Sequence, residues 1–379
     1  MLQIKSPASP FYTKLAMILV SIIAVGYLAI LGKQLLAPLI FAVLFSILLL
    51  PLARFFEQKT KLARSGAAFL SVLVFVVCIA LILYLVGAQL TRLGQDWPLF
   101  KDQVVSSVNN LQHWVASTFH INMRDQMHYV NDATNKLIST STLVLGTTVL
   151  SVSSIVLFLV FIMIYTFFLL FYRRLLVKFL LGVFKEDNAV MVYDVIAHVQ
   201  YIIRKYIAGL LLEMAIVATA CCLIFWILGI KYAILLGLIT GLFNIIPYIG
   251  IFSALLLSTL ITFATGAVAS KIILVAITII VIHLIDSNFL LPVIVGSKVR
   301  INALITVMGV IVGEMMWGIS GMFLAIPVIA IMKIIFDRIE PLKPWGLLLG
   351  DEKNEKEPPD LKEKIKEEGV EAVVEKPQT

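Results

Sequence analysis

Charge is scarce in this chain. Asp, Glu, Lys and Arg together make up 14% of its 379 residues, where a soluble domain carries about 25%. With 60% hydrophobic residues and a mean hydropathy of +1.01, that scarcity excludes a soluble globule. Cysteine is scarce too. Cys78, Cys221 and Cys222 all lie in apolar stretches without metal-ligand spacing, which excludes a disulfide framework and leaves them as packing residues. No GxxxxGK[ST] loop, HExxH, GxSxG or TVGYG sequence occurs. ATP-driven pumping by this chain alone, two kinds of intramembrane hydrolysis and a potassium-type filter are thereby disfavoured. The net charge of +7 does not point to nucleic acid, because Lys and Arg cluster beside apolar spans, where the positive-inside rule places them. No cofactor and no enzymatic activity are expected.

What is there is a series of apolar spans. Leu15–Leu31, Leu35–Ala53 and Ala67–Leu90 read as the first three, with Pro38 in the first turn of the second and Pro51 near its end. Arg54, Lys59, Lys61 and Arg64 place the intervening loop, and with it the N-terminus, in the cytoplasm. Residues 91–142 are less apolar. Val104, Val108, Leu111 and Val115 recur at helical spacing and predict external amphipathic helices. His113, His120 and His128 lie there without a metal signature, and no metal site is expected. Leu143–Tyr172 is the fourth span, Val183–Tyr206 an interfacial cytoplasmic helix, Ile207–Ile230 the fifth span and Ile272–Leu291 the sixth. The charged residues from Asp351 onward predict a disordered cytoplasmic tail. The chain therefore divides into scaffold helices (1–90), an external segment (91–142), a fourth span with its cytoplasmic helix (143–206), a transport core (207–340) and a tail (341–379).

Two apolar segments, Ala233–Phe263 and Asn302–Phe336, are too long for one span each. As straight helices they would run roughly 45 to 50 Å, against a hydrocarbon core of about 30 Å. Pro247 and Gly250 interrupt the first, and Gly313, Gly318, Gly321 and Pro327 the second; Pro292 and Gly296 punctuate the stretch between them. Both segments read as broken or re-entrant hairpins approaching from opposite faces. Irregular backbone at membrane depth is tolerated only when buried or lining a cavity, and paired breaks point to a transport site. The expected fold is an all-α polytopic membrane protein with about eight membrane segments, two of them broken hairpins.

Ionisable groups inside spans are functional candidates. Asp286 is the first, suited to accept a proton, coordinate a cation or bind a polar solute, with a buried structural pair as the alternative. His283 lies three residues earlier, on the same helix face. Asn288 completes this polar cluster. Glu314, near the second break, suits ion binding or the capping of a half-helix, and Asn244 suits either a ligand or carbonyls freed by Pro247. Glu213 is read as an interfacial residue.

The run Gly241-Leu-Phe-Asn244-Ile-Ile-Pro247-Tyr-Ile-Gly250 resembles the autoinducer-2 exporter family. So do Asp286 through Leu291-Pro292-Val-Ile-Val-Gly296, then Gly313, Trp317-Gly318-Ile-Ser-Gly321-Met322 and Ala325-Ile-Pro327. The likeness covers Leu15 to about Phe336. Ile251 stands where that family often has Pro, and Asn302-Ala303 where it often has His-Pro. The resemblance implies a homo-oligomeric secondary transporter of the bacterial inner membrane. Its partners would be the lipid bilayer, a small polar solute such as the autoinducer-2 quorum signal, and H⁺ or Na⁺. A Na⁺(Li⁺)/H⁺ antiporter is the alternative.

Overall fold

A computed structural model describes residues 10–119, 154–184, 188–246, 249–294 and 301–351. Among these the chain is helical throughout, with short connections. In order the helices are α1 (Phe11–Leu31), α2 (Lys33–Lys59), α3 (Arg64–Gln95), α4 (Trp97–Phe119), α5 (Ser154–Phe171), α6 (Arg173–Val183) and α7 (Ala189–Ile227). Then follow α8 (Ala233–Phe243), α9 (Ile249–Ala264), α10 (Ala269–Ile285), a π-helical turn (Asp286–Leu290) and α11 (Leu291–Ile294). The chain continues with α12 (Ala303–Trp317), α13 (Ile319–Phe336) and α14 (Lys343–Leu349). Among the described residues seven helical runs are long and apolar enough to cross a membrane: α1, α2, α3, α5, α7, α10 through α11, and α13. The fold is that of a polytopic helical membrane protein, as composition and span lengths require.

Three expectations need correction. The interfacial helix of 183–206 and the fifth span are one element, α7, of 39 residues. No Gly or Pro stands between Ala189 and Ala208 to break it. Arg204 and Lys205 are tolerated inside it because their long stems carry the charge outward. Its length of about 58 Å exceeds the bilayer, so one end projects into water. Both Pro38 and Pro51 lie inside α2 rather than bounding it. In the second broken segment the break is at Gly318 alone, with φ 65° and ψ −141°, a conformation that L side chains rarely adopt.

Gly313 and Gly321, expected to be breaks, are instead the contact between α12 and α13. A Cβ on Gly321 would lie 1.9 Å from the Gly313 carbonyl oxygen, and one on Gly313 would lie 2.4 Å from that of Gly321. Small residues let the two backbones touch. Pro327 lies buried within α13 without ending it. Gly250 serves the first segment similarly: its Cβ would meet the Phe243 carbonyl oxygen at 1.8 Å, so α8 and α9 turn back on each other. Pro247 and Gly296 lie outside the described residues.

Ion pairs mark the two ends of the helix array. At one end Asp96, after α3, pairs with Lys231 and accepts the Tyr232 hydroxyl. Hydrogen bonds from Lys231 and then Tyr232 hold the Asp96 carboxyl below its ordinary range. Lys271 caps the same end by donating to the Gly229 carbonyl at 2.8 Å. At the other end Arg173 pairs with Glu57 at 2.6 Å and Arg338 with Asp194 at 2.7 Å. Helices α8 and α9 start and finish at the Asp96 end, whereas α13 finishes at the Arg338 end. The two broken segments thus enter from opposite sides.

Candidate functional site

Small residues on α8 build the site. A Cβ on Gly237 would lie 2.4 Å from Cys222 Sγ, and one on Gly241 would lie 2.5 Å from the Ala218 Cβ. This Gly-x-x-x-Gly face presses α8 backbone-close against α7. One turn beyond Gly241, Asn244 ends α8 beside Glu213 of α7. The third wall is α10, whose buried stripe is Val275, Ile279 and Ile282. That spacing continues to Asp286, the first residue of the π turn and 3% exposed.

Asn244 Nδ2 donates to both carboxyls, to Glu213 Oε1 at 3.2 Å and to Asp286 Oδ2 at 2.9 Å. Glu213 is 2% exposed. The other carboxyl oxygens, Glu213 Oε2 and Asp286 Oδ1, are buried without a hydrogen-bond partner among the described residues. Counting about 1.5 Å per residue, Glu213 lies about 20 Å from the Ile227 end of α7, and Asp286 about 25 Å from the Ala269 end of α10. Both depths fall within a hydrocarbon core of about 30 Å. Two carboxylates sharing one donor at such depth are costly unless a proton or a cation stands between them.

The π turn follows from Pro292. Proline lacks an N–H and its ring clashes with the carbonyl four residues back, so the helix widens ahead of it. Within that turn Asn288 Nδ2 donates to the Leu284 carbonyl at 2.7 Å. Widened turns recur at functional sites, and this one presents Asp286 inward.

The sequence candidates separate in space. Asp286 and Asn244 meet. Asn288 is exposed and serves its own helix backbone. His283 has a buried Nδ1 without a partner among the described residues and makes no hydrogen bond to Asp286. Glu314 is exposed, and it is its carbonyl, not its side chain, that accepts from Gly318 N at 2.7 Å; its carboxylate does not cap α13. Glu213 is the residue that sequence reasoning set aside. The available signal was a carboxylate inside the long apolar run of α7, which had been placed at an interface because the span was started too late. His113 is exposed on α4, and His120 and His128 lie outside the described residues.

Beside this cluster the two broken segments converge. A cavity of about 250 Å³ lies between α2, α7 and the two breaks, lined by Phe41, Phe45, Ile245, Ile246, Ser320 and Phe323 among others. Phe41 stacks on Phe323 with centroids 5.1 Å apart and planes at 9°. Trp317 Nε1 donates to the Ala29 carbonyl of α1 at 2.9 Å, tying the second break to the first helix.

Opposed broken helices around a buried polar site are the architecture of a membrane transport protein. Residues 15–340 match the AI-2E family transporter description, and the chain belongs to that family. It is 25% identical over 312 residues to YueF of Bacillus subtilis, named as a transport protein, covering 79% of this chain and 82% of that one. YrrI of the same organism, also named as a transport protein, is 33% identical over 130 residues, 34% of this chain and 36% of the relative. PerM of Escherichia coli K12, named as a permease, is 27% identical over 136 residues, 35% and 38% of the two chains.

Proposed function

We propose that this protein is a secondary transporter that exports a small polar solute by alternating access, coupled to an ion gradient through Glu213 and Asp286. The observation that carries the reading is the single amide of Asn244 bridging two carboxyls buried at membrane depth. A carboxyl pair that must hold a proton or a cation links solute movement to that ion. The moving part is α8 to α13, working against the scaffold of α1 to α3. The solute would be a quorum signal of the autoinducer-2 type, as the resemblance of the Gly241–Gly250 run to the autoinducer-2 exporter family implies. The setting is a bacterial inner membrane, with both chain ends in the cytoplasm and several copies assembled together. The basic cluster Arg54, Lys59, Lys61 and Arg64 supports that orientation. The proposed role is transport and not catalysis.

A Na⁺(Li⁺)/H⁺ antiporter is the second reading. It is favoured by the near-complete burial of both carboxyls, which keeps them from direct contact with an organic solute.

Flux in proteoliposomes tests both, with Na⁺ and pH gradients imposed and a dihydroxyketone preloaded. Gradient-driven solute release, lost in Asp286→Asn, supports the exporter. Na⁺-dependent proton movement without solute, lost in the same variant, supports the antiporter. Persistence of both signals in Asp286→Asn and in Glu213→Gln refutes the assignment of the site.

A further inference from the structure

At the Arg338 end, away from the buried carboxyls, a second cavity of about 870 Å³ opens between the last turns of α2, the end of α5, α6 and the start of α7. Its lining carries four cations, Arg54, Arg173, Arg174 and Lys178, against one carboxylate, Glu57. Glu57 is spent on Arg173, whose Nη2 contacts both its oxygens at 2.8 and 2.6 Å. The Arg173 Nη1 is left buried without a partner. Arg54, Arg174 and Lys178 have no acidic partner among the described residues. Smaller cavities of about 320 and 140 Å³ adjoin it and share Arg54, adding Arg204.

Most of the remaining wall is hydrocarbon, including Ile47, Leu169 and Val177, with Ser46, Gln58, Tyr193 and Gln200 as its uncharged polar members. Helix α6 reads Arg-Arg-Leu-Leu-Val-Lys-Phe-Leu-Leu-Gly-Val, a short basic and apolar helix of the kind that lies in the bilayer interface. A site with unpaired cations at the rim, greasy walls below and a position at the interface fits one ligand chemistry: a phosphodiester attached to acyl chains. Free phosphate would use the cations and leave the walls idle. A zwitterionic headgroup would bring its own cation into a cluster already short of anions.

We propose that this cavity is a binding site for an anionic phospholipid, its phosphate held by Arg54, Arg174 and Lys178 and its acyl chains lying along α5 and α6. Basic pockets between membrane helices hold acidic headgroups. Arg173, pinned by Glu57, positions the start of α6 and so the two cations that follow.

The test uses the full-length protein, stripped of lipid in neutral detergent and re-equilibrated with equal amounts of phosphatidylglycerol and phosphatidylcholine. Retained lipid is measured by mass spectrometry. The expected result is roughly tenfold preference for phosphatidylglycerol, lost in Arg54→Gln/Arg174→Gln/Lys178→Gln and unaffected by millimolar inorganic phosphate. Equal retention of the two lipids by the wild type, a measurement that needs no variant, overturns the proposal. So does displacement of the lipid by phosphate, which would assign the cluster to a free anion. Full preference in a folded triple variant would place the lipid elsewhere and overturns it as well.

Discussion

Glu213 of α7 and Asp286 at the end of α10 accept hydrogen bonds from the same side-chain nitrogen, that of Asn244, at 3.2 and 2.9 Å. Three elements therefore meet at one amide: a long span, the tip of a re-entrant hairpin and a π turn. Any motion that withdraws the hairpin separates the carboxyls from their donor, which is how an ion bound between them would be exchanged with one side of the membrane.

Replacing the donor tests this coupling most directly. Asn244→Ala should cost about 1–3 kcal/mol of stability, because two buried acceptors lose their partner. Thermal unfolding in detergent reads that cost, and gradient-driven flux in proteoliposomes should fall at the same time. Unchanged unfolding and flux would refute the bridge.

The carboxyls themselves should separate fold from coupling. Glu213→Gln and Asp286→Asn keep shape and hydrogen-bonding capacity while removing one charge each. Both should remain folded, and each should abolish most ion-driven flux, because an amide can no longer take up the proton or cation. Normal flux in Glu213→Gln would reduce the site to Asp286 alone.

The second hairpin rests on two glycines for different reasons. Gly318→Ala has open space around it but a backbone at φ 65°, so the cost is conformational, about 1–3 kcal/mol. Gly321→Ala drives a methyl into the Gly313 carbonyl, 1.9 Å away, and should separate α12 from α13. The second variant should unfold at the lower temperature. The opposite order in a thermal scan would contradict the contact.

Phe41 of α2 and Phe323 of α13 stack at 5.1 Å, across the boundary between the proposed scaffold and the proposed moving core. Cysteines at both positions, in a background lacking Cys78, Cys221 and Cys222, should cross-link with a short bifunctional thiol reagent and stop flux, with recovery on cleavage. Full transport by the locked protein would show that this boundary does not move.

The Asp96–Lys231 pair gives a pH dependence with a definite sign. The folded-state pKa of Asp96 is lowered by its hydrogen bonds, so its contribution is present above the ordinary carboxylate pKa of about 3.9 and is lost as pH falls through the lower folded value. Asp96→Asn should therefore change thermal stability at neutral pH and converge with the wild type in acid. A difference that persists equally below the carboxylate range would refute the linkage.

Much of the fold was legible because membrane spans obey length and hydropathy. The first three spans, the helix after the third span and both broken segments follow from apolar runs measured against the bilayer. The errors have local physical causes. Charges at Arg204 and Lys205 were taken as the end of a helix, yet long stems let α7 continue, and that one misplacement kept Glu213 out of the site. Gly313 and Gly321 were taken as breaks because glycine is permissive, whereas here its lack of a side chain is what matters. His283, Asn288 and Asp286 share a short stretch of chain, but Asp286 continues the buried stripe of Val275, Ile279 and Ile282, whereas His283 is only half-buried and Asn288 falls on the exposed side of the π turn.

The sequence by itself determined that this chain is a bundle of membrane helices with two interrupted segments and few charges among them. In lipid every backbone polar group must be satisfied internally, by helices or a closed barrel, and continuous apolar runs of about 20 residues select helices. Only the tertiary structure decided which charges face each other. Asn244, Glu213 and Asp286 come together because glycines on α8 admit α7 at backbone distance and because the buried stripe of α10 carries Asp286 against them. Those are contacts between distant parts of the chain, and helical periodicity carries no record of them.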